Sequence, residues 1–112
     1  MDKLNRYRAI IEEYMNGRAQ SALASQPGAK PHIIVDRDKD EYVLMWVGWS
    51  GYKYKHGIMF HLQIMDGKVW VHEDRTDIDI AGRLVDAGIP KSDIVLGFVS
   101  PEVRQTGGYA VA

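Results

Sequence analysis

Two histidines on either side of a short turn come nearest to forming a metal site in this chain. Asp66-Gly67 is a strong signal for a two-residue β-hairpin loop, and such a loop would place His61 directly opposite His72. Opposed side chains on one sheet face lie about 5 Å apart at Cβ, so two imidazoles could share a zinc ion. A closed zinc site needs more ligands, and Asp74 is the only obvious third. We therefore predict two partly buried histidines satisfied by neighbouring groups, with a metal-dependent hydrolase as the alternative.

The rest of the sequence supplies no complete catalytic set. The 112 residues include no cysteine, so disulfides, thiolate metal ligands and thiol nucleophiles are excluded. No Ser-His-Asp arrangement, phosphate-binding loop or glycine-rich cofactor motif has the local structure that it would need. We therefore predict a protein that is not an enzyme, with no catalytic residue, metal ligand or cofactor.

The charge balance argues against tight DNA binding by the chain alone. Its formal net charge is -1, whereas autonomous DNA-binding domains usually carry a strong basic excess. The segment Tyr52-Lys53-Tyr54-Lys55 interleaves rings with cations, a pattern that can stack bases and neutralise phosphates. A solvated hairpin end explains the same residues. We predict weak or indirect DNA binding, and a direct DNA-binding accessory remains an alternative.

Signals for export and membrane insertion are missing from the sequence. The N-terminus is charged from Asp2 onward and lacks the apolar region of a secretory signal. The longest apolar run, 42–49, is too short to cross a bilayer as a helix. Together with the lack of cysteine, these features predict a cytoplasmic protein without membrane contact.

The elements that position these residues begin with an amphipathic helix. Asp2 can cap it, Gly17 can end it, and apolar side chains recur in it at three- and four-residue spacings: Leu4, Tyr7, Ile11 and Tyr14. Residues 18–31 are rich in Ala, Ser, Gln, Gly and Pro without a clear period, which predicts a connection.

An antiparallel meander is predicted to follow the connection. Four runs rich in Val, Ile, Trp and Tyr are separated by turn residues, and they span 32–36, 41–49, 55–65 and 68–74. Residues 36–40 form a charged turn between the first two runs, and 50–54 form a longer loop between the second and third.

The C-terminal third is predicted to add a helix and a short extended segment. Thr76 and Asp79 resemble a capping box that opens a second helix, and Gly88 closes it. Residues 94–99 form a last strand or a buried extended stretch, and 101–104 form a final helical turn. The prediction is one α+β domain over 1–112, with an N-terminal helix, a four-stranded antiparallel meander sheet, a second helix and that short segment.

The hairpin register predicts which sheet face is buried. It sets Ile64 opposite Val69 and Leu62 opposite Val71 on a core face, with Phe60 opposite Glu73. If the preceding strand continues the meander, three further residues join the core face: Val43, Met45 and Val47.

The opposite face is predicted to bind a partner protein or a second copy of the chain. Its candidate contacts are large rings with polar groups at their rim: Tyr42, Trp46, Gln63, Lys68 and Trp70. Exposed Tyr and Trp side chains dominate binding hot spots. The alternative is that the C-terminal segment folds over this face and makes it a second core layer.

Several segments spread along the chain form a recognisable set. They include Leu4-Asn5-Arg6-Tyr7-Arg8, Val47-Gly48-Trp49, His56-Gly57, Asp66-Gly67-Lys68-Val69-Trp70-Val71 and the stretch 87–104. The set resembles the XisI family, the fdxN element excision controlling factors of cyanobacteria. The resemblance runs nearly end to end, and 87–104 is its most specific part.

The resemblance implies an accessory role in the programmed excision of a DNA element. It implies a small α+β protein that acts beside a separate site-specific recombinase and a companion protein called XisH. The recombinase would carry the chemistry, so the expected function is protein-protein contact with the recombinase or a nuclease-like, XisH-like companion. Residues 76–80 depart from the family's acidic, glycine-containing helix start. Many members occur in several copies per genome, so a process other than fdxN excision stays open.

Overall fold

The computed structural model describes residues 2–25 and 28–112. Helices flank a sheet in an α+β arrangement, as predicted. The helices are α1 (Lys3–Ser25), α2 (Ile80–Asp86) and α3 (Pro101–Arg104), and a 3₁₀ turn spans Lys91–Asp93. The strands are β1 (Lys30–Asp36), β2 (Glu41–Ser50), β3 (Lys53–Met65), β4 (Lys68–Asp74) and β5 (Ile94–Leu96).

The sheet has the strand order β1-β2-β3-β4-β5. The first four strands form the predicted antiparallel meander, and β5 pairs in parallel with β4. The C-terminal segment is therefore a strand. Asp66 and Gly67 have φ angles of 54° and 77°, the left-handed conformation that a two-residue type I′ loop requires at both positions. The predicted pairs Leu62–Val71 and Ile64–Val69 are confirmed.

Helix α1 is longer than predicted. Gly17 does not end it, and it continues to Ser25. Gly17 is exposed, while Met15 before it and Ala22 after it are buried, so tertiary packing of the same stripe offsets the low helix propensity of one glycine. Positions 26 and 27 of the predicted connection lie outside the described residues.

Two bulges in β3 and β4 change the predicted register. His61 faces Glu73 while Leu62 faces Val71, so His72 is an extra residue and the predicted His61–His72 pair is wrong. The predicted Phe60–Glu73 pair is also wrong, because Phe60 faces Asp74.

The second bulge inverts the predicted faces of β2. Leu44 faces Phe60 while Met45 faces Ile58, so Met59 is the extra residue. If Met59 were not an extra residue, the pairing next to the β2–β3 loop would continue unchanged and would set Val43 opposite Phe60. With it, the core side of β2 carries even-numbered residues, because a one-residue slip exchanges the faces of a strand.

The core lies between the sheet and helices α1 and α2. Its main side chains are buried and come from α1, the sheet and α2: Tyr7, Ile11, Met15, Tyr42, Leu44, Phe60, Leu62, Val69, Val71, Ile80, Leu84 and Ile94. Both helices therefore pack on one face of the sheet, which is called the helix-covered face below.

Helix α2 begins later than predicted. Its N-cap is Asp79, whose Oδ1 accepts a hydrogen bond of 3.1 Å from the Gly82 N–H. Thr76 is not the cap, because its hydroxyl instead donates to Asp74 Oδ1 at 2.6 Å. Gly88, with a φ of 120°, ends the helix as predicted, and the Ile89 N–H returns to the Leu84 carbonyl at 3.0 Å.

A bidentate ion pair joins α1 to the turn between β1 and β2. Arg8 donates from Nε and Nη2 to the two carboxylate oxygens of Asp40, at 2.7 and 2.9 Å. The hydrogen bond from Arg8 holds the pKa of Asp40 below its usual value. The Asp40 carbonyl also accepts from the Ile64 N–H at 2.9 Å, so this turn contacts both α1 and β3.

Asp40→Asn should lower the free energy of unfolding at neutral pH, because the carboxylate leaves the ion pair while the left-handed φ of 54° is kept. The folded-state pKa is depressed, so this stabilisation is present above the unfolded pKa of about 3.9 and is lost as the pH falls through the folded value. Urea unfolding at several pH values should show the two proteins converging in acid. Asp38→Asn, in the same turn and exposed, should match the wild type throughout; an equal loss for both variants would contradict the assignment.

Candidate protein-binding face

The sheet side away from the helices is called the open face. Alternate side chains of β1 to β4 point to it: Ile34, Val43, Met45, Trp49, Tyr54, His56, Ile58, His61, Gln63, Met65, Lys68, Trp70 and His72. None of them belongs to the buried core cluster. Ile34, Trp49 and Tyr54 expose 50%, 62% and 51% of their surfaces. Apolar and aromatic side chains therefore stay in contact with solvent.

Aromatic rings form two rows at the ends of this face. The Trp49 and Tyr54 ring centroids are 5.2 Å apart, and Tyr54 stacks on His56 at 6.2 Å with 12° between the ring planes. At the other end, Trp70 stacks on His72 at 6.1 Å with 26° between the planes. Rings that combine a large apolar area with a polar edge are the side chains most enriched in binding hot spots.

The two histidines are held by neighbouring side chains, as the sequence predicted. His61 Nε2 lies 3.0 Å from Glu41 Oε1, and His72 Nε2 lies 2.8 Å from Gln63 Oε1. These oxygens only accept, so each Nε2–H donates. The imidazole centroids are 4.9 Å apart despite the bulge. Burial, and next the neighbouring His61, lower the pKa of His72, which keeps this ring neutral at pH 7.

The geometry gives no support to the hydrolase alternative. Within residues 2–25 and 28–112, no group of three or more His, Cys, Asp or Glu side chains could hold a metal ion. The Nε2 atoms of both histidines already make hydrogen bonds to Glu41 and Gln63. A catalytic zinc ion would need three protein ligands with one open position.

The predicted contact residues are divided between the two sides of the sheet. Gln63, Lys68 and Trp70 lie on the open face, as predicted. The placement of Tyr42 there was wrong: it is fully buried on the helix-covered face, where its hydroxyl donates to Asp40 Oδ1 at 3.2 Å. Burial raises the pKa of Tyr42 to about 12. Trp46 was also misplaced, since it lies on the helix-covered side and packs against the core. The Met59 bulge accounts for both errors.

The C-terminal segment covers only the Trp70 end of the open face. The Arg104 guanidinium lies 5.2 Å from the centroid of the Trp70 ring, and its Nε donates to the Val99 carbonyl at 2.9 Å. Val95 beside Trp70 is fully buried, and Ala110 pairs with it. The predicted second core layer is therefore restricted to this end.

The residues Trp49, Tyr54 and His56 were missed by the sequence prediction. Residues 50–54 were predicted as a loop, whereas β2 extends to Ser50 and β3 begins at Lys53. The alternation of apolar and aromatic residues through Val47 and Trp49 was the available signal for the longer hairpin.

Comparison with known proteins then identifies the family. The model of the family described as XisI protein matches residues 1–111. This chain belongs to the XisI family. The resemblance predicted from the sequence is thus confirmed over nearly the whole chain.

Two crystal structures from Anabaena variabilis have the XisI fold of this chain. A XisI-like protein is 34% identical, with a TM-score of 0.88, over 97% of this chain and 99% of that one. The fdxN element excision controlling factor XisI is 35% identical, with a TM-score of 0.83, over 99% and 100% of the two chains. No curated protein matches the chain. None of the helices described for this XisI-family chain is long and apolar enough to cross a membrane.

Proposed function

We propose that this chain is a non-catalytic controlling factor for the excision of a DNA element in the cytoplasm. It acts by binding an XisH-like, nuclease-like companion protein, and the recombinase carries out the DNA chemistry. Membership of the XisI family and the 35% identical excision controlling factor support this role. The binding partner follows from the family resemblance and is the part of the proposal that needs direct testing.

The open face is the observation that carries the proposal. Its aromatic rows at both ends flank the partly exposed apolar side chains Val43, Met45 and Ile58. Apolar and aromatic side chains that are grouped and exposed on one face usually mark an interaction surface, because removing them from water upon binding is favourable. The helices pack on the other face of the sheet, which leaves the open face available for a companion protein to bury.

Photo-crosslinking tests the location of the contact. A benzoylphenylalanine in place of Tyr54 keeps an aromatic side chain on the open face, where half of the native residue is exposed. This variant should form a covalent product with the purified companion protein on irradiation. The same substitution at Ala9, exposed on α1, should not. Crosslinking from Ala9 and not from Tyr54 would assign the contact to the helices and refute the proposed surface.

A further inference from the structure

A groove lies mainly on the helix-covered side of the sheet, and its lining also includes His56 and Ile58 of the open face. It has a volume of about 780 Å³, between the C-terminal half of α1, the β2–β3 hairpin and the segment after β4. It is called the basic groove here and is defined by Arg18, Trp46, Lys55, Gly57, Arg75 and Ile78. Its volume falls within the range of about 300 to 1,000 Å³ that is usual for ligand sites.

A missing side chain leaves room on the floor of the groove. Gly57 is paired with Trp46 across the β2–β3 ladder, so both residues face the groove. A Cβ atom built on Gly57 would meet no other atom within 4 Å. A Cβ atom at position 57 therefore meets open space, and a larger residue there would extend into the groove.

Cations from three different elements converge on the groove. Arg18 comes from α1, Lys55 from β3 and Arg75 from the segment after β4, whereas Asp77 is the sole carboxylate of the lining. Lys55 Nζ lies 6.0 Å from the centroid of the Trp46 ring, and Arg75 contacts Glu73. With Glu73 paired to Arg75 and Asp77 in the lining, the three cations leave the groove a small positive excess on a chain whose net charge is -1.

Arg18 supplies the observation that points to an anionic ligand. Its Nε atom is buried and has no hydrogen-bond partner in the part of the chain that the structure describes. A buried donor on a charged group costs free energy while it is unsatisfied. Because Nε itself is shielded from solvent, a carboxylate ligand would pair with the terminal nitrogens of the guanidinium, for which it is a fitting partner.

We propose that the basic groove binds an acidic segment of a partner protein. One carboxylate of the segment pairs with Arg18, and adjacent apolar side chains pack against Trp46 and Ile78. A protein segment fits better than a nucleic acid strand, because the lining combines cations with apolar and small polar side chains and Asp77 would repel a continuous row of phosphates. The residues that carry this site, Arg18, Trp46 and Ile78, lie outside the open face, and the inference goes beyond the function proposed above.

A short fluorescein-labelled peptide that alternates glutamate and leucine tests the proposal by fluorescence anisotropy. The peptide should bind the full chain, and Arg18→Gln should weaken binding about ten-fold or more. Gly57→Phe should weaken it similarly by filling the floor, with every charge left in place. Arg37→Gln is the matched control, since Arg37 is exposed in the β1–β2 turn and bonded to Glu12, and it should leave the affinity unchanged.

Several results would overturn the proposal. Equal binding of a peptide with glutamine in place of glutamate would show that no carboxylate is recognised. Equal weakening by Arg18→Gln and Arg37→Gln would reduce the effect to diffuse charge. Tighter binding of single-stranded oligothymidylate than of the acidic peptide would assign the groove to nucleic acid. Full binding by a folded Gly57→Phe variant, or no binding by the wild type, would exclude the groove as the site.

Discussion

Leu62→Ala should lower the free energy of unfolding by about 2 to 5 kcal/mol. Leu62 is fully buried in the C-terminal half of β3, between Tyr42 on β2 and Val71 on β4, which are themselves buried. Truncation removes apolar contacts and leaves a cavity that these neighbours cannot fill, because the sheet ladders and the helices above fix their positions. Urea unfolding followed by circular dichroism measures the loss.

Met65→Ala is the matched control, on the same strand but on the open face. Met65 is partly exposed, so its truncation should cost about 1 kcal/mol or less. The two variants truncate side chains of similar size on opposite faces of β3, so the difference between their losses of stability reflects burial. Equal losses for the two variants, or a loss below about 1 kcal/mol for Leu62→Ala, would contradict the placement of the core on the helix-covered face.

The sequence contained the local signals for most of the sheet. Asp66-Gly67 fixed one hairpin and the pairing of Leu62 with Val71, because a two-residue loop with left-handed φ angles determines the register next to it. The meander, the second helix and the final turn at 101–104 also followed from local patterns. These features depend on residues that are close in the chain.

The candidate site was only partly predictable, because it depends on bulges. Met59 and His72 are extra residues in the strand ladders, and no short motif in the sequence marks either of them. One extra residue at Met59 places Tyr42 and Trp46 on the helix-covered face, and Val43 and Met45 on the open face instead of the predicted core face. The length of α1 also depended on tertiary packing, through Ala22 beyond Gly17.

Met45→Glu should weaken binding of the XisH-like companion by about thirty-fold or more, which corresponds to about 2 kcal/mol. Met45 lies in the middle of the open face, opposite Ile58 and between the two aromatic rows. In the complex, a carboxylate at this position would lose its hydration without gaining an oppositely charged partner. Burying an unpaired charge costs far more free energy than leaving it exposed in the free protein. Because Met45 is partly exposed in the chain alone, the melting temperature should change little.

Tyr52→Glu is the control for added charge. Tyr52 is fully exposed in the Gly51-Tyr52 turn at the tip of the β2–β3 hairpin, so a carboxylate there stays hydrated in the free chain. It introduces the same charge on the same hairpin, outside the centre of the open face. Its affinity for the companion should therefore stay within about three-fold of the wild type.

Calorimetric titration of the companion into the wild type, Met45→Glu and Tyr52→Glu tests most directly whether this chain acts through its open face. We expect tight binding by the wild type and by Tyr52→Glu, and strongly weakened binding by a folded Met45→Glu protein. Wild-type affinity in a folded Met45→Glu variant would contradict this expectation.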